Sequence, residues 1–205
     1  MFVKVCGVRT EADVTAVVEA GADAVGLVFG DSVRHVDVDL ARRLVEGIPP
    51  RVLAVGVFGG VEVRDVVRLA KEAGVSAVQL HGPYPRSAFE QLSGLSVRLL
   101  RATTLDADTD FRVGAYGEEM LLLDSAVAGS GHRWELSLLD RARPQGRWLL
   151  AGGLSPDNVA EAVAAARPWG VDVSSGVESR RGVKDHGLIR DFVAAARAAL
   201  ADVGV

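Results

Sequence analysis

The chain has 205 residues, 49% hydrophobic and 24% charged, with a formal net charge of −4; this is ample material for one sizeable core and offers no bulk attraction to nucleic acid. Its single cysteine, Cys6, excludes an intrachain disulfide framework and any multi-cysteine metal site. No apolar run reaches the length of a membrane span and the first residues do not read as a secretion signal, so the expectation is a cytoplasmic protein that meets neither membrane nor nucleic acid.

Short β-branched runs recur along the chain, each followed by a polar turn and, in most units, a stretch of helical spacing. The first strand, FVKVC (2–6), leads into TEADVTAVVEAGA (10–22), with apolar residues at three- and four-residue steps. DAVGLVF (23–29) follows, then the turn DSVRHV (31–36), which carries Arg34. RVLAVGVF (51–58) precedes the helical pattern VEVRDVVRLAKEAGV (61–75), and SAVQLH (76–81) closes on His81. After VRLLRA (97–102), the segment TTLDADTDFRVGAYGEE (103–119) has poor helical periodicity, which predicts a short or irregular fifth helix. MLLLD (120–124) ends on Asp124, RWLLAG (147–152) runs into SPDNVAEAVAAARP (155–168), and VDVSS (171–175) comes before KDHGLIRDFVAAARAAL (184–200).

Repeated strand-then-helix order implies parallel strands, because parallel neighbours need a crossover between them. Eight such units predict an α/β fold: a small (β/α)8 TIM barrel forming a single domain over residues 1–205. An open doubly wound sheet is the alternative, but CGVRT follows the first strand where a G-x-G-x-x-G turn would stand.

In such a barrel alternate strand residues point inward and the active site lies at the C-terminal strand ends. Parity then directs Lys4 and Cys6 inward, with Cys6 at the mouth, and puts Asp124 at the mouth across from it. Cysteine at a strand end is often mere packing and aspartate there often caps a turn, yet the two together frame a gap that a small substrate fits. AGGLSPDNV (151–159) supplies Gly152 and Gly153, with Ser155 expected as N-cap and Pro156 as first helical residue; SSG adds Ser174, Ser175 and Gly176. The loops after strands seven and eight are a recurrent phosphate site in this architecture. Arg34 offers a fork suited to a carboxylate, and His81 shares inward parity with Gln79. Lys4, buried below Cys6, is expected to pair with Asp172 on the neighbouring strand for structural reasons.

The ordered set KVCGVRTEADV, AGADAVGLVF, SVRHV, AVGVF, VQLHG, LLLDS, AGGLSPDNV and GVDVSSGVES followed by GVKD resembles the phosphoribosylanthranilate isomerases of tryptophan biosynthesis over essentially the whole chain. The resemblance implies an Amadori rearrangement of N-(5-phosphoribosyl)anthranilate with no cofactor and no metal. It implies Cys6 as general base, Asp124 as general acid and Arg34 on the anthranilate carboxylate. Phosphate and sugar fall to His81, Gly152, Gly153, Ser174, Ser175 and Gly176. A thiolate is then needed near neutral pH, so a depressed Cys6 pKa is expected. The phosphorylated aminosugar would be the partner of a monomer or homodimer.

The chain departs from that family's usual pattern at AGSGHRWELSLL, which carries His132, Trp134 and Glu135, and at VFGGVEV after the third strand. Two other readings compete. One is a histidine-pathway isomerase, or a dual-substrate enzyme, which the cysteine at position 6 disfavours. The other is a non-catalytic phosphosugar-binding barrel, which the presence of both Cys6 and Asp124 disfavours.

Overall fold

The computed structural model describes residues 1–104, 108–124, 139 and 143–202. Eight parallel strands close into a barrel in chain order: β1 (Phe2–Cys6), β2 (Ala24–Val28), β3 (Leu53–Gly59), β4 (Ala77–His81), β5 (Arg98–Thr104), β6 (Met120–Asp124), β7 (Trp148–Ala151) and β8 (Gly170–Val173), with β8 pairing back to β1. Among the described residues the helices bounded between them are α1 (Glu11–Glu19), α2 (Val38–Glu46), α3 (Val63–Ala73), α4 (Arg86–Leu92) and α5 (Val159–Ala166). A short antiparallel hairpin, β9 (Glu178–Arg180) and β10 (Val183–Lys184), precedes the last helix, α6 (His186–Asp202).

Local chemistry explains the helix ends. The Thr10 hydroxyl accepts from the Asp13 N–H at 3.1 Å at the start of α1, and Asp37 accepts from the Leu40 N–H at 2.8 Å at the start of α2. One expected cap is displaced: α5 begins at Val159 after Asn158, so Ser155 and Pro156 lie in the turn before it. The Asn158 side chain accepts from the Ser155 N–H at 2.8 Å and donates to the Gly153 carbonyl at 2.9 Å, tightening that turn.

Strand alternation builds two apolar layers. Outward residues such as Val3, Val5, Leu27, Val78 and Leu121 pack under the helices against Val17, Phe89 and Phe192. Inward residues such as Ala24, Val55, Leu100, Met120 and Leu149 fill the barrel, and Cys6 tops that inner cluster.

Between β5 and β6 the short or irregular fifth helix expected from the sequence does not form among the described residues, because the segment's weak periodicity offers no apolar face to pack. A buried ion pair organises the segment instead. Arg101, on the outward face of β5, binds Glu118 at 2.8 Å and donates to the carbonyls of Asp110 and Arg112 at 2.8 and 3.2 Å, its guanidinium lying 4.7 Å from the Tyr116 ring centroid. His132, Trp134 and Glu135 lie outside the described residues. Among the described residues no helix is long and apolar enough to cross a membrane.

Candidate active site

The C-terminal strand ends surround a cleft of about 330 Å³, lined by Cys6, Arg34, Gln79, His81, Asp124, Asp172 and Ser174 among others. Sequence parity thus brings the expected residues of five separate segments to one opening. Cys6 ends β1 and Asp124 ends β6, three strands away around the closed ring. Cys6 is 8% exposed. It has room because Gly26 is its register partner on β2, where a Cβ would sit 2.8 Å from the sulfur.

Below the sulfur, Lys4 is fully buried and its ammonium meets Asp172 Oδ1 at 2.9 Å, the ion pair expected from parity. The pair is not sealed away from the cleft, however. Asp172 lines the opening, and the Lys4 ammonium acts electrostatically on the Cys6 thiol as well as on its own partner. Burial works against ionisation of every member of this trio. The Asp172 carboxyl is pushed up by burial against the pull of Lys4, while Lys4 is held above its ordinary value because Asp172 and Cys6 outweigh its own desolvation. The expected depression of the thiol is not found: burial pushes the Cys6 pKa up, and the nearby ammonium groups of Lys4 and Lys184 only partly counter it. Parity reveals which way a side chain faces but not how deeply it is desolvated.

Arg34 reaches the cleft but is already engaged. Its Nε and Nη2 donate to Glu178 Oε1 and Oε2 at 2.6 and 2.9 Å. That bond holds the guanidinium charged, above its ordinary pKa. Lys184 lies beside it, donating to Glu178 Oε1 at 3.0 Å and to the Ser174 carbonyl at 2.8 Å, and the Ser174 hydroxyl donates to the Cys6 carbonyl at 3.1 Å. Glu178 and Lys184, which hold Arg34 and Ser174 at the edge of the cleft, are residues that sequence reasoning passed over. The cue was the charged run ESRRGVKD placed directly after the SSG loop.

The expected anion loops meet but stand beside the cleft and do not line it, apart from Ser174. Gly152 and Gly153 turn the chain after β7 with φ of 86° and 64°. Ser175 and Gly176 open a short 3-10 turn over Ser175–Val177. The two loops touch so closely that a Cβ on Gly176 would overlap the Leu154 carbonyl oxygen. His81 is exposed at the rim. Gln79, one layer deeper, is 2% exposed, and its buried Oε1 has no hydrogen-bond partner. A buried unmatched acceptor at the floor of a cleft is a standing cost that a donor on a ligand would relieve. At the departing third loop, Val61 is clamped through both backbone groups to the Tyr84 hydroxyl, at 2.9 and 2.7 Å. Among the described residues no group of three or more His, Cys, Asp or Glu side chains is placed to hold a metal ion.

An opening with a sulfur and a carboxyl on opposite strands, a guanidinium at one rim and paired glycine and serine turns at another suits acid–base work on an anionic small molecule. Comparison with known proteins agrees. Residues 3–195 match the family model of N-(5'-phosphoribosyl)anthranilate isomerase. The N-(5'-phosphoribosyl)anthranilate isomerase of Symbiobacterium thermophilum is 40% identical, the alignment covering 96% of this chain and 98% of that protein. The crystal structure of TrpF from Jonesia denitrificans is 45% identical with a TM-score of 0.91, covering 98% of both chains. A phosphoribosylanthranilate isomerase crystallised with reduced 1-(o-carboxyphenylamino)-1-deoxyribulose 5-phosphate is 36% identical with a TM-score of 0.84, covering 97% of this chain and 99% of that one.

Proposed function

Because the chain belongs to the N-(5'-phosphoribosyl)anthranilate isomerase family, we propose that Cys6 and Asp124 are the proton acceptor and donor of its reaction. The enzyme converts N-(5'-phosphoribosyl)anthranilate into 1-(o-carboxyphenylamino)-1-deoxyribulose 5-phosphate, a step of tryptophan biosynthesis. Its substrate is a small phosphorylated aminosugar, and a cytoplasmic monomer or homodimer is the setting we infer for it.

In this reading the Asp124 carboxyl protonates the furanose ring oxygen, the bond from that oxygen to C1 breaks, and the nitrogen lone pair forms the C1 iminium. The Cys6 thiolate then removes the C2 proton; the released electron pair makes the C1–C2 double bond and neutralises the nitrogen. Loss of the 2-hydroxyl proton with protonation at C1 delivers the ketone. Burial keeps the resting thiol protonated, and Lys4 and Lys184 oppose that burial. The iminium places a third positive charge one atom from the proton to be taken, when the thiolate is needed.

Arg34 would hold the anthranilate carboxylate, and His81 and Gln79 would meet sugar hydroxyls. The turns at Gly152–Gly153 and Ser174–Ser175–Gly176 would cradle the phosphate with backbone N–H groups. The observation that carries this reading is that Cys6 and Asp124 line one cleft from strands three apart, with Arg34 at its rim. Replacing Cys6→Ser should lower kcat by about 10²- to 10⁴-fold, while affinity for the reduced product analogue changes by about 3-fold or less. Weakened affinity with kcat intact would remove the thiol from the proton-transfer step.

A further inference from the structure

Glu178, beside the cleft, is a carboxylate with all its acceptor positions engaged. Its Oε1 accepts from Arg34 Nε at 2.6 Å and Lys184 Nζ at 3.0 Å; its Oε2 accepts from Arg34 Nη2 at 2.9 Å and the Gly182 N–H at 3.0 Å. Four donors fill the four lone-pair positions of an ionised carboxylate. With its side chain 3% exposed and every position taken, Glu178 has no capacity left to accept or deliver a proton in turnover.

What such a group can do is aim its partners. A guanidinium presents two edges that suit a carboxylate, Nε with Nη2 and Nη2 with Nη1. Glu178 occupies the first edge. The second edge keeps one N–H on each terminal nitrogen, and Arg34 lines the cleft. Two carboxylates can therefore flank one arginine, the protein's own on one edge and a ligand's on the other.

Glu178 also sits at the start of the β9–β10 hairpin, whose second strand returns Lys184 to the same carboxylate. Lys184 continues to the Ser174 carbonyl at 2.8 Å, and Ser174 to the Cys6 carbonyl at 3.1 Å. Arg9 joins the hairpin to the β2 loop, donating to the carbonyls of Val33 and Gly182 at 3.1 and 3.5 Å. One hydrogen-bonded chain thus runs from Arg34 to the main chain of Cys6.

We infer that Glu178 is a positioning residue that sets carboxylate specificity: it locks the inner edge of Arg34 so that the outer edge faces the ring carboxylate of the substrate. The inference rests on the proposed contact between Arg34 and that carboxylate. It separates Glu178 from the groups that touch substrate, and it assigns the hairpin a task in recognition.

The test is a pair of ligands, the reduced product analogue and the same molecule lacking its ring carboxyl, titrated against wild type, Glu178→Gln, Arg34→Ala and the double variant. Glutamine brings an NH₂ group to the guanidinium and loses one arm of the fork. Glu178→Gln should weaken the carboxylated ligand about 30-fold and the uncarboxylated one about 3-fold or less, raising KM far more than it lowers kcat. In the Arg34→Ala background the same change should cost about 2-fold or less, because the two residues act as one unit. Glu178→Asp, too short to hold Arg34 and Lys184 together, supplies the same readout should the glutamine variant not fold. Equal weakening of both ligands, or an unchanged preference for the carboxylated one, overturns the role of Glu178. If Arg34→Ala itself keeps that preference, the assignment of Arg34 fails first, and the proposal with it.

Discussion

The protein buries an ion pair on each side of the barrel wall, and the two pairs are built differently. Arg101 and Glu118, outside β5, are tied to the main chain around them: Arg101 Nε donates to the carboxylate and Nη2 to two main-chain carbonyls, and Glu118 Oε2 accepts from the Tyr116 N–H at 2.8 Å. Lys4 and Asp172, inside, face the chemistry instead, since the ammonium also acts on the thiol and the carboxylate lines the cleft. In these two pairs the position of the charge decides its work: the pair behind the strand ties the β5–β6 segment down, and the pair facing the cleft acts on the thiol beside it.

The largest effect is expected from opening the inner pair. Lys4→Met strands a buried carboxylate, costing about 3–5 kcal/mol of stability. It also deprives the thiol of the cation that most strongly favours its ionisation. With that attraction gone the Cys6 pKa rises further, so the alkaline-rising limb of the kcat profile moves to higher pH and kcat at neutral pH falls on the order of 10-fold or more. Unfolding measurements and a pH–rate profile check both halves.

Arg101→Met should cost a similar amount, about 3–5 kcal/mol, yet leave kcat per folded molecule and its pH profile unchanged. A shifted pH profile in this variant would erase the distinction between the two pairs. Removing the outer pair entirely, with Arg101→Met and Glu118→Leu together, should recover part of the loss. Recovery is incomplete because the carbonyls of Asp110 and Arg112 lose their donor, which a denaturant titration would reveal.

These predictions also show how far the sequence could be read. Inward parity of Lys4, Cys6, Asp124, Asp172 and Ser174 is a local, period-two property of each strand, so it survives into the fold and brings the site together. The irregularity of the fifth unit was legible for a related reason, as TTLDADTDFRVGAYGEE has poor helical periodicity, although the short or irregular helix expected there does not form among the described residues. Arg101 was the unread part of that segment: its outward parity on β5 leaves a guanidinium where a helix would normally cover the strand. Glu178 stayed hidden because its bond to Arg34 spans 144 residues and no local period encodes it. The direction of the Cys6 shift was missed because desolvation depends on all the neighbours together.

A smaller effect is expected at low pH. The Glu178 carboxyl is lowered to about 2 from 4.5 by Arg34, Gly182 and Lys184, which outweigh its burial. Its stabilising contribution is therefore complete above pH 4.5 and is lost as pH falls towards 2, so the stability gap between wild type and Glu178→Gln should close across that window. The smallest effect belongs to Arg112, which lowers the Asp110 carboxyl to about 2 through an exposed pair. Solvent screens that contact, and Arg112→Ala should move the unfolding midpoint by about 1 °C or less.

The central claim is that Cys6 and Asp124 converge on one aminosugar from opposite sides. A crystal structure of this protein with the reduced product analogue tests it most directly. The Cys6 sulfur should lie about 3–3.5 Å from C2 and the Asp124 carboxyl within about 2.6–3.2 Å of the 4-hydroxyl, the former ring oxygen. A different side chain at C2, or Asp124 turned away from that oxygen, would contradict it.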